Sequence, residues 1–267
     1  MFFAVINKAG DFLKDGARRI LLLDEIRGFA IICMVFHHLF YNIGFVLGYD
    51  FGFKVFKALC VFQPFFWAAF IITSGICSRL SRNTVKRGLI VLGGGIAVTI
   101  VTAVIMPLMG ITGAEIYFGI LSCLGSCMII TGLLTPLLDK INPKIGLAVC
   151  AFLFFVTYDI SKKSLLFGAV HLPDILYQSD WLCPLGFYSK SFASADYFPL
   201  LPWLFMFLFA AFIGKYAANG DFPETAYKSR SKFLQKAGKH SFWIYLAHQP
   251  AMYAILYIIK FIQAIFQ

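Results

Sequence analysis

Apolar residues along this chain gather into runs long enough to cross a lipid bilayer, instead of alternating or marking one narrow stripe. A helix of about 20 residues spans a hydrocarbon core about 30 Å thick. Runs of that size fall at roughly 20–47, 55–78, 87–107, 116–138, 144–160, 197–218 and 240–265. The pattern predicts an all-α, multi-pass transmembrane bundle of about seven helices. No sequence repeat or low-complexity linker divides it, so residues 1–267 read as one transmembrane domain. Residues 161–196 form a long connection carrying Tyr177, Asp180, Trp181, Tyr188 and Asp196 among apolar neighbours, which predicts an ordered extracytoplasmic cap loop. The segment "AANGDFPETAYKSRSKFLQKAGKH" reads as a basic, solvated linker.

Composition agrees with the pattern: 60% of residues are hydrophobic, 13% are charged, and the mean hydropathy is +0.80. These values place the chain in a bilayer as an integral, multi-pass protein, in the cell membrane if the source is a bacterium. The first 19 residues start with a short apolar stretch and lack a small-residue cleavage site, so 1–19 predicts an interfacial helix. A formal net charge of +10 invites a nucleic-acid reading. The cations segregate by membrane side, however: sixteen of the 23 Lys and Arg fall on one side if the chain crosses seven times, six on the other, and Arg27 lies within the first span. That bias predicts a cytoplasmic N-terminus, an outside C-terminus and no nucleic-acid partner. The seven cysteines include no CxxC pair and read as small apolar residues; Cys183 falls in an outside loop, and a bridge from it to Cys60 is left open.

Against this apolar background the first span, "RILLLDEIRGFAIICMVFHHLFYNIGF", carries costly groups. Eleven residues at 100° each bring Arg27 and His38 within about 20° of the same helix face. Asp24 and Asn42 extend the stripe by a turn at either end, while His37 points elsewhere. Arg27 then sits near the cytoplasmic mouth, and His38 lies about 16 Å further up. The last span repeats the motif with His248 and Gln249 just before Pro250, which removes a backbone donor and loosens a turn.

Six segments in order, "LDEIRGFAIICMVFHH", "FIITSGICSRLSR", "VKRGL", "YFGILSCLG", "DYFPLLPWL" and "GKHSFWIYLAHQP", resemble the heparan-α-glucosaminide N-acetyltransferase catalytic family, in particular its compact bacterial members. The resemblance implies a membrane acyltransferase that moves an acetyl group from cytosolic acetyl-CoA to an amino sugar or glycan on the extracytoplasmic side. The Arg–His spacing on helix 1 is also similar to that of membrane enzymes that O-acetylate surface glycans. Two positions depart from the family pattern: Asn42, where relatives tend to carry a carboxylate, and Ser122, where they tend to carry His or Gln.

Acetyl transfer needs a proton acceptor for the nucleophile and a place for charge on the attacked carbonyl. The catalytic candidates are His38, Asn42 and His248, with His248 and Gln249 orienting groups or stabilising the oxyanion. Arg27, Arg79, Arg82, Lys86 and Arg87 are candidates for the acetyl-CoA phosphates. Asp196, Tyr197, Trp203 and Gln249 are candidates for the acceptor. No metal is expected. The other partners are the lipid bilayer and the sugar or glycan acceptor, with homo-oligomerisation left open. A proton-coupled small-molecule transporter and a non-enzymatic membrane scaffold are the competing readings.

Overall fold

A computed structural model describes residues 18–266. The helices are α1 (Leu21–Leu47), α2 (Asp50–Leu59), α3 (Gln63–Leu80), α4 (Thr84–Leu108), α5 (Ile120–Leu138), α6 (Pro143–Thr157), α7 (Leu200–Asn219), α8 (Lys232–Lys239) and α9 (Ser241–Ile265). Six of them are long and apolar enough to cross a membrane, and the α2–α3 pair, bent by 53°, makes up to seven. The protein is an integral, multi-pass, all-α membrane protein. The described part of the predicted interfacial segment is Arg18 and Arg19; residues 1–17 lie outside the described residues.

The helices divide into two compact units, one holding Ser74–Phe222 and the other Arg18–Thr73 with the chain from Pro223 onward. In the first, α4 and α5 meet backbone to backbone at glycines spaced seven apart. A Cβ on Gly95 would lie 2.7 Å from the Ser122 nitrogen, and one on Gly125 2.5 Å from the Leu92 nitrogen. Gly88 and Gly132 are crowded in the same way by Ile129 and Val85. Small residues that admit such an approach are the usual glue between helices in lipid, where apolar burial alone drives nothing together. Ser122 is therefore a packing position beneath Gly95. A second core joins α5, α6 and α7 through Leu138, Cys150, Leu208 and Phe212.

In the second unit α9 runs parallel to α1, as the pairs His38 with His248, Asn42 with Gln249 and Tyr49 with Gln263 show. α2 folds back on α1, with Gly52 against the Phe40 carbonyl and Phe56 against Tyr41. α8 packs on α1 more closely still. A Cβ on Gly28 would lie 1.9 Å from the Leu234 carbonyl oxygen, and one on Gly238 1.9 Å from that of Asp24.

Four features differ from the sequence expectation. The run expected at 55–78 starts at Asp50 and breaks at Cys60–Phe62, where Pro64 has no N–H to donate back to the Cys60 carbonyl and continue the first helix. The run at 116–138 becomes helical only at Ile120. The chain before it pairs with residues 194–198 through Ala195 N–H to the Glu115 carbonyl, 2.8 Å, and Phe198 N–H to the Phe118 carbonyl, 2.9 Å. The basic linker contains the docked helix α8. All seven cysteines are free, so Cys60 and Cys183 form no bridge.

The connection at 161–196 is ordered. A two-residue hairpin pairs Ser164–Leu165 with Val170–His171, and the Tyr177 hydroxyl donates to the Ile160 carbonyl. Lys163 meets Asp174 at 2.5 Å, which holds the Asp174 carboxyl below its ordinary range. Burial pushes the Tyr177 hydroxyl and the Cys183 thiol up.

Candidate functional site

The polar stripe on α1 forms as its spacing predicts. Asp24, buried, accepts from Arg19 Nε at 2.7 Å and lies 3.7 Å from Arg27 Nη1, so two guanidinium groups share one carboxylate at this end of the helix. Glu25 points to the other side. Its Oε1 accepts from the Arg230 and Ser231 backbone N–H groups at 2.7 and 2.9 Å and from Gln235 Nε2 at 2.9 Å. Two of these donors are backbone N–H groups at and just before the N-cap of α8 and the third is a buried side chain of its second turn, so Glu25 clamps that terminus as a capping anion would. The sequence reading passed over Glu25; a buried acid three residues before Gly28 was the available signal.

Three turns beyond Arg27, the imidazole rings of α1 and α9 converge. The His38 and His248 rings lie 5.2 Å apart between centroids, and the His37 ring stands edge-on to His38 at 5.4 Å. His248 Nδ1 is 2.5 Å from the Tyr245 carbonyl oxygen, which only accepts, so Nδ1 carries the hydrogen. In the neutral ring Nε2 then bears a lone pair, and Nε2 is buried with no hydrogen-bond partner. This alters the role anticipated for His248: a neutral ring in this tautomer offers an acceptor at Nε2, whereas an oxyanion needs a donor. α9 continues through Pro250 without interruption, so the turn before it is held, in part by this side-chain bond.

Asn42, fully buried, donates through Nδ2 to Gln249 Oε1 at 2.8 Å and approaches Met252 Sδ at 3.7 Å. It binds the neighbour of His248 instead of an imidazole, and thereby fixes α9 against α1 one turn from the ring pair. Its Oδ1 is buried and unpartnered, a second orphan acceptor in the same region.

The remaining candidates belong to the other unit. Arg79 is buried; it pairs with Asp139 and donates to Thr135 Oγ1 at 3.2 Å, tying the end of α3 to the end of α5. Lys215 supports that junction by donating to the carbonyls of Leu138, Asp139 and Ile141. Arg82 and Lys86 are exposed and Arg87 half-buried around the first turn of α4, whose Lys86 nitrogen is capped by Asn83 Oδ1 at 2.8 Å. Asp196 Oδ2 accepts from the Ile120 nitrogen at 3.1 Å, capping α5 where Gly119 has no side chain to do so. Tyr197 donates to the Cys183 carbonyl at 2.6 Å, and burial raises its hydroxyl pKa well above the ordinary value. Trp203 packs between Phe198 and Phe154. Asp196 and Tyr197 thus hold the connection's shape with the groups expected to meet an acceptor. Among the described residues no group of three or more His, Cys, Asp or Glu is arranged to hold a metal ion.

The fold and the ring pair define a class of multi-pass helical membrane proteins that bury an unpartnered imidazole nitrogen beside a second histidine. The family comparison gives that class its chemistry. The model of the heparan-alpha-glucosaminide N-acetyltransferase catalytic domain matches residues 19–250, and the chain belongs to that family of membrane acetyltransferases. Comparisons with curated proteins and with solved structures each give no match.

Proposed function

We propose that the protein takes the acetyl group of acetyl-CoA and transfers it to the amine of an amino sugar or glycan on the extracytoplasmic side. The observation that carries this reading is the buried, unpartnered Nε2 of His248 next to His38. A sugar amine must lose a proton as it attacks the thioester carbonyl, and a neutral imidazole nitrogen with no other partner is the group to take it. Asn42 and Gln249 are positioning residues that keep α9 in register with α1. Arg19 and Arg27 both lie against the Asp24 carboxylate at this end of α1, and the guanidinium of Arg27 is the group proposed to meet an anionic part of the donor. Arg82, Lys86 and Arg87 are a separate proposal for donor phosphates, resting on their charge at the α4 N-terminus.

The test is purified protein in lipid nanodiscs with labelled acetyl-CoA and two acceptor sets, amino sugars and glycans bearing hydroxyls alone. Labelled amides from the first set are expected, and their loss in His38→Ala with membrane insertion intact. Label confined to the hydroxyl set would assign O-acetylation. Transfer unaffected in His38→Ala would remove this histidine from the reaction.

A further inference from the structure

One nucleophile next to the ring pair has no part in the proposed reaction. Cys60 lies where α2 ends, and its Sγ is 3.5 Å from Nε2 of His37. His37 is buried, its ring packed at 4.5 Å from that of Phe56 and edge-on to His38. The thiol therefore faces a fixed imidazole, and that imidazole opens a row of three rings, His37, His38 and His248. Packing alone explains the apolar surroundings of a membrane cysteine but gives it no imidazole partner. The backbone beside it is broken as well: after Cys60 N–H to the Phe56 carbonyl, the chain turns through Phe62 N–H to Leu59 and Gln63 N–H to the Cys60 carbonyl. Irregular backbone at membrane depth is tolerated where it is buried in protein or lines a cavity. Cys60 itself is half-buried.

We infer that Cys60 is an acyl-carrying nucleophile, activated by His37, whose substrate is the thioester of an acyl-CoA donor; the inference rests on the acetyltransferase reading above. The S–H proton passes to His37 Nε2, and the thiolate attacks the acetyl carbonyl. A Cys60–S–acetyl bond forms while the bond to the CoA sulfur breaks, and the leaving thiolate takes the proton from His37 as CoA–SH. The acceptor amine then attacks the new thioester, yielding the amide and returning a proton to the Cys60 sulfur. No electrons are gained or lost. Exchange of one thioester for another keeps the acetyl group activated, and it lets donor and acceptor visit the rings in turn. His38 and His248 serve the second step and His37 the first.

The experiment incubates the full-length protein in nanodiscs with acetyl-CoA and no acceptor, and reads the peptide containing Cys60 by mass spectrometry. One acetyl group is expected on that peptide, removed by neutral hydroxylamine, absent in Cys60→Ala, and chased off by an amino sugar. Independently, maleimide should label Cys60 about tenfold more slowly in His37→Phe than in the native protein, as expected if the imidazole supplies the thiolate. His37→Gln, which keeps a polar partner, serves if the phenylalanine variant fails to fold. Acceptor acetylation by native protein with no acetyl on the Cys60 peptide would overturn the inference and leave the acetyltransferase reading intact. Equal maleimide rates in both histidine variants and the native protein would also overturn it. Absence of both modified peptide and product would remove the acetyltransferase reading with it.

Discussion

At the residue scale the decisive atom is His248 Nε2, since one hydrogen bond at the other ring nitrogen determines what it can do. The Tyr245 carbonyl holds the hydrogen at Nδ1 and leaves a buried lone pair without a partner at Nε2. Replacing the ring by phenylalanine keeps a planar aromatic side chain and removes the lone pair. His248→Phe should lower acetyl transfer by about 10²–10⁴-fold, the usual worth of a general base, with acetyl-CoA binding unchanged by calorimetry. Loss of binding would instead make His248 a structural element. Tyr197 supports a prediction about pH. Burial raises its pKa above that of the unfolded chain, so the stability it provides is complete below about pH 10 and is lost as pH rises beyond that. Thermal unfolding followed from pH 8 to 11 should show an alkaline drop that Tyr197→Phe diminishes; an unchanged drop would assign it to other groups. The sequence revealed the stripe from Asp24 to Asn42 because helical periodicity fixes which residues share a face. It concealed which ring nitrogen is protonated, since that depends on a carbonyl three residues away in α9.

Elements were legible to the extent that hydrophobic length alone specifies them. The runs at 20–47 and 240–265 became Leu21–Leu47 and Ser241–Ile265 almost unchanged. Helix α8 escaped notice because eight residues, three of them lysine, are too short and too polar a stretch to register as an apolar run. What holds it is backbone proximity at Gly28 and Gly238 together with the Glu25 clamp, and neither is a hydrophobic signal. The pairing at Ala195 and Phe198 was hidden for a similar reason, being main-chain hydrogen bonding between segments far apart in sequence. Both α8 contacts are testable. Gly238→Val places a branched side chain where even a methyl group would overlap the Asp24 carbonyl, and it should expose the chain between Phe222 and Ser231 to protease in detergent. Glu25→Ala leaves three donors without their acceptor, at about 1–3 kcal/mol for each that stays buried, and should lower the melting temperature. Protection and melting temperature equal to the native protein in both variants would mean α8 is held by something else.

For the whole molecule the number of spans turns on whether the bent α2–α3 pair crosses the membrane or re-enters and returns. Six other helices are long enough to cross, so crossing gives seven spans and re-entry gives six. The second unit bears directly on the choice, because α1 and α9 lie parallel, from His38 with His248 to Tyr49 with Gln263. If each of the other helices crosses, the first and last spans point the same way only when their total is odd. Charge leads to the same answer by a separate route. Seven spans divide the cations sixteen to six with an inside N-terminus, whereas six spans divide them fourteen to eight and place the N-terminus outside. The steeper asymmetry is the one that insertion favours. The chain should therefore cross seven times, with the N-terminus in the cytoplasm and the C-terminus outside. In a bacterial host, alkaline phosphatase fused after the C-terminus should be active and a green fluorescent protein at the same place dark, with the reverse for N-terminal fusions. Termini on the same side would make α2–α3 a re-entrant pair, and Cys60 would then sit at the tip of that loop beside His37.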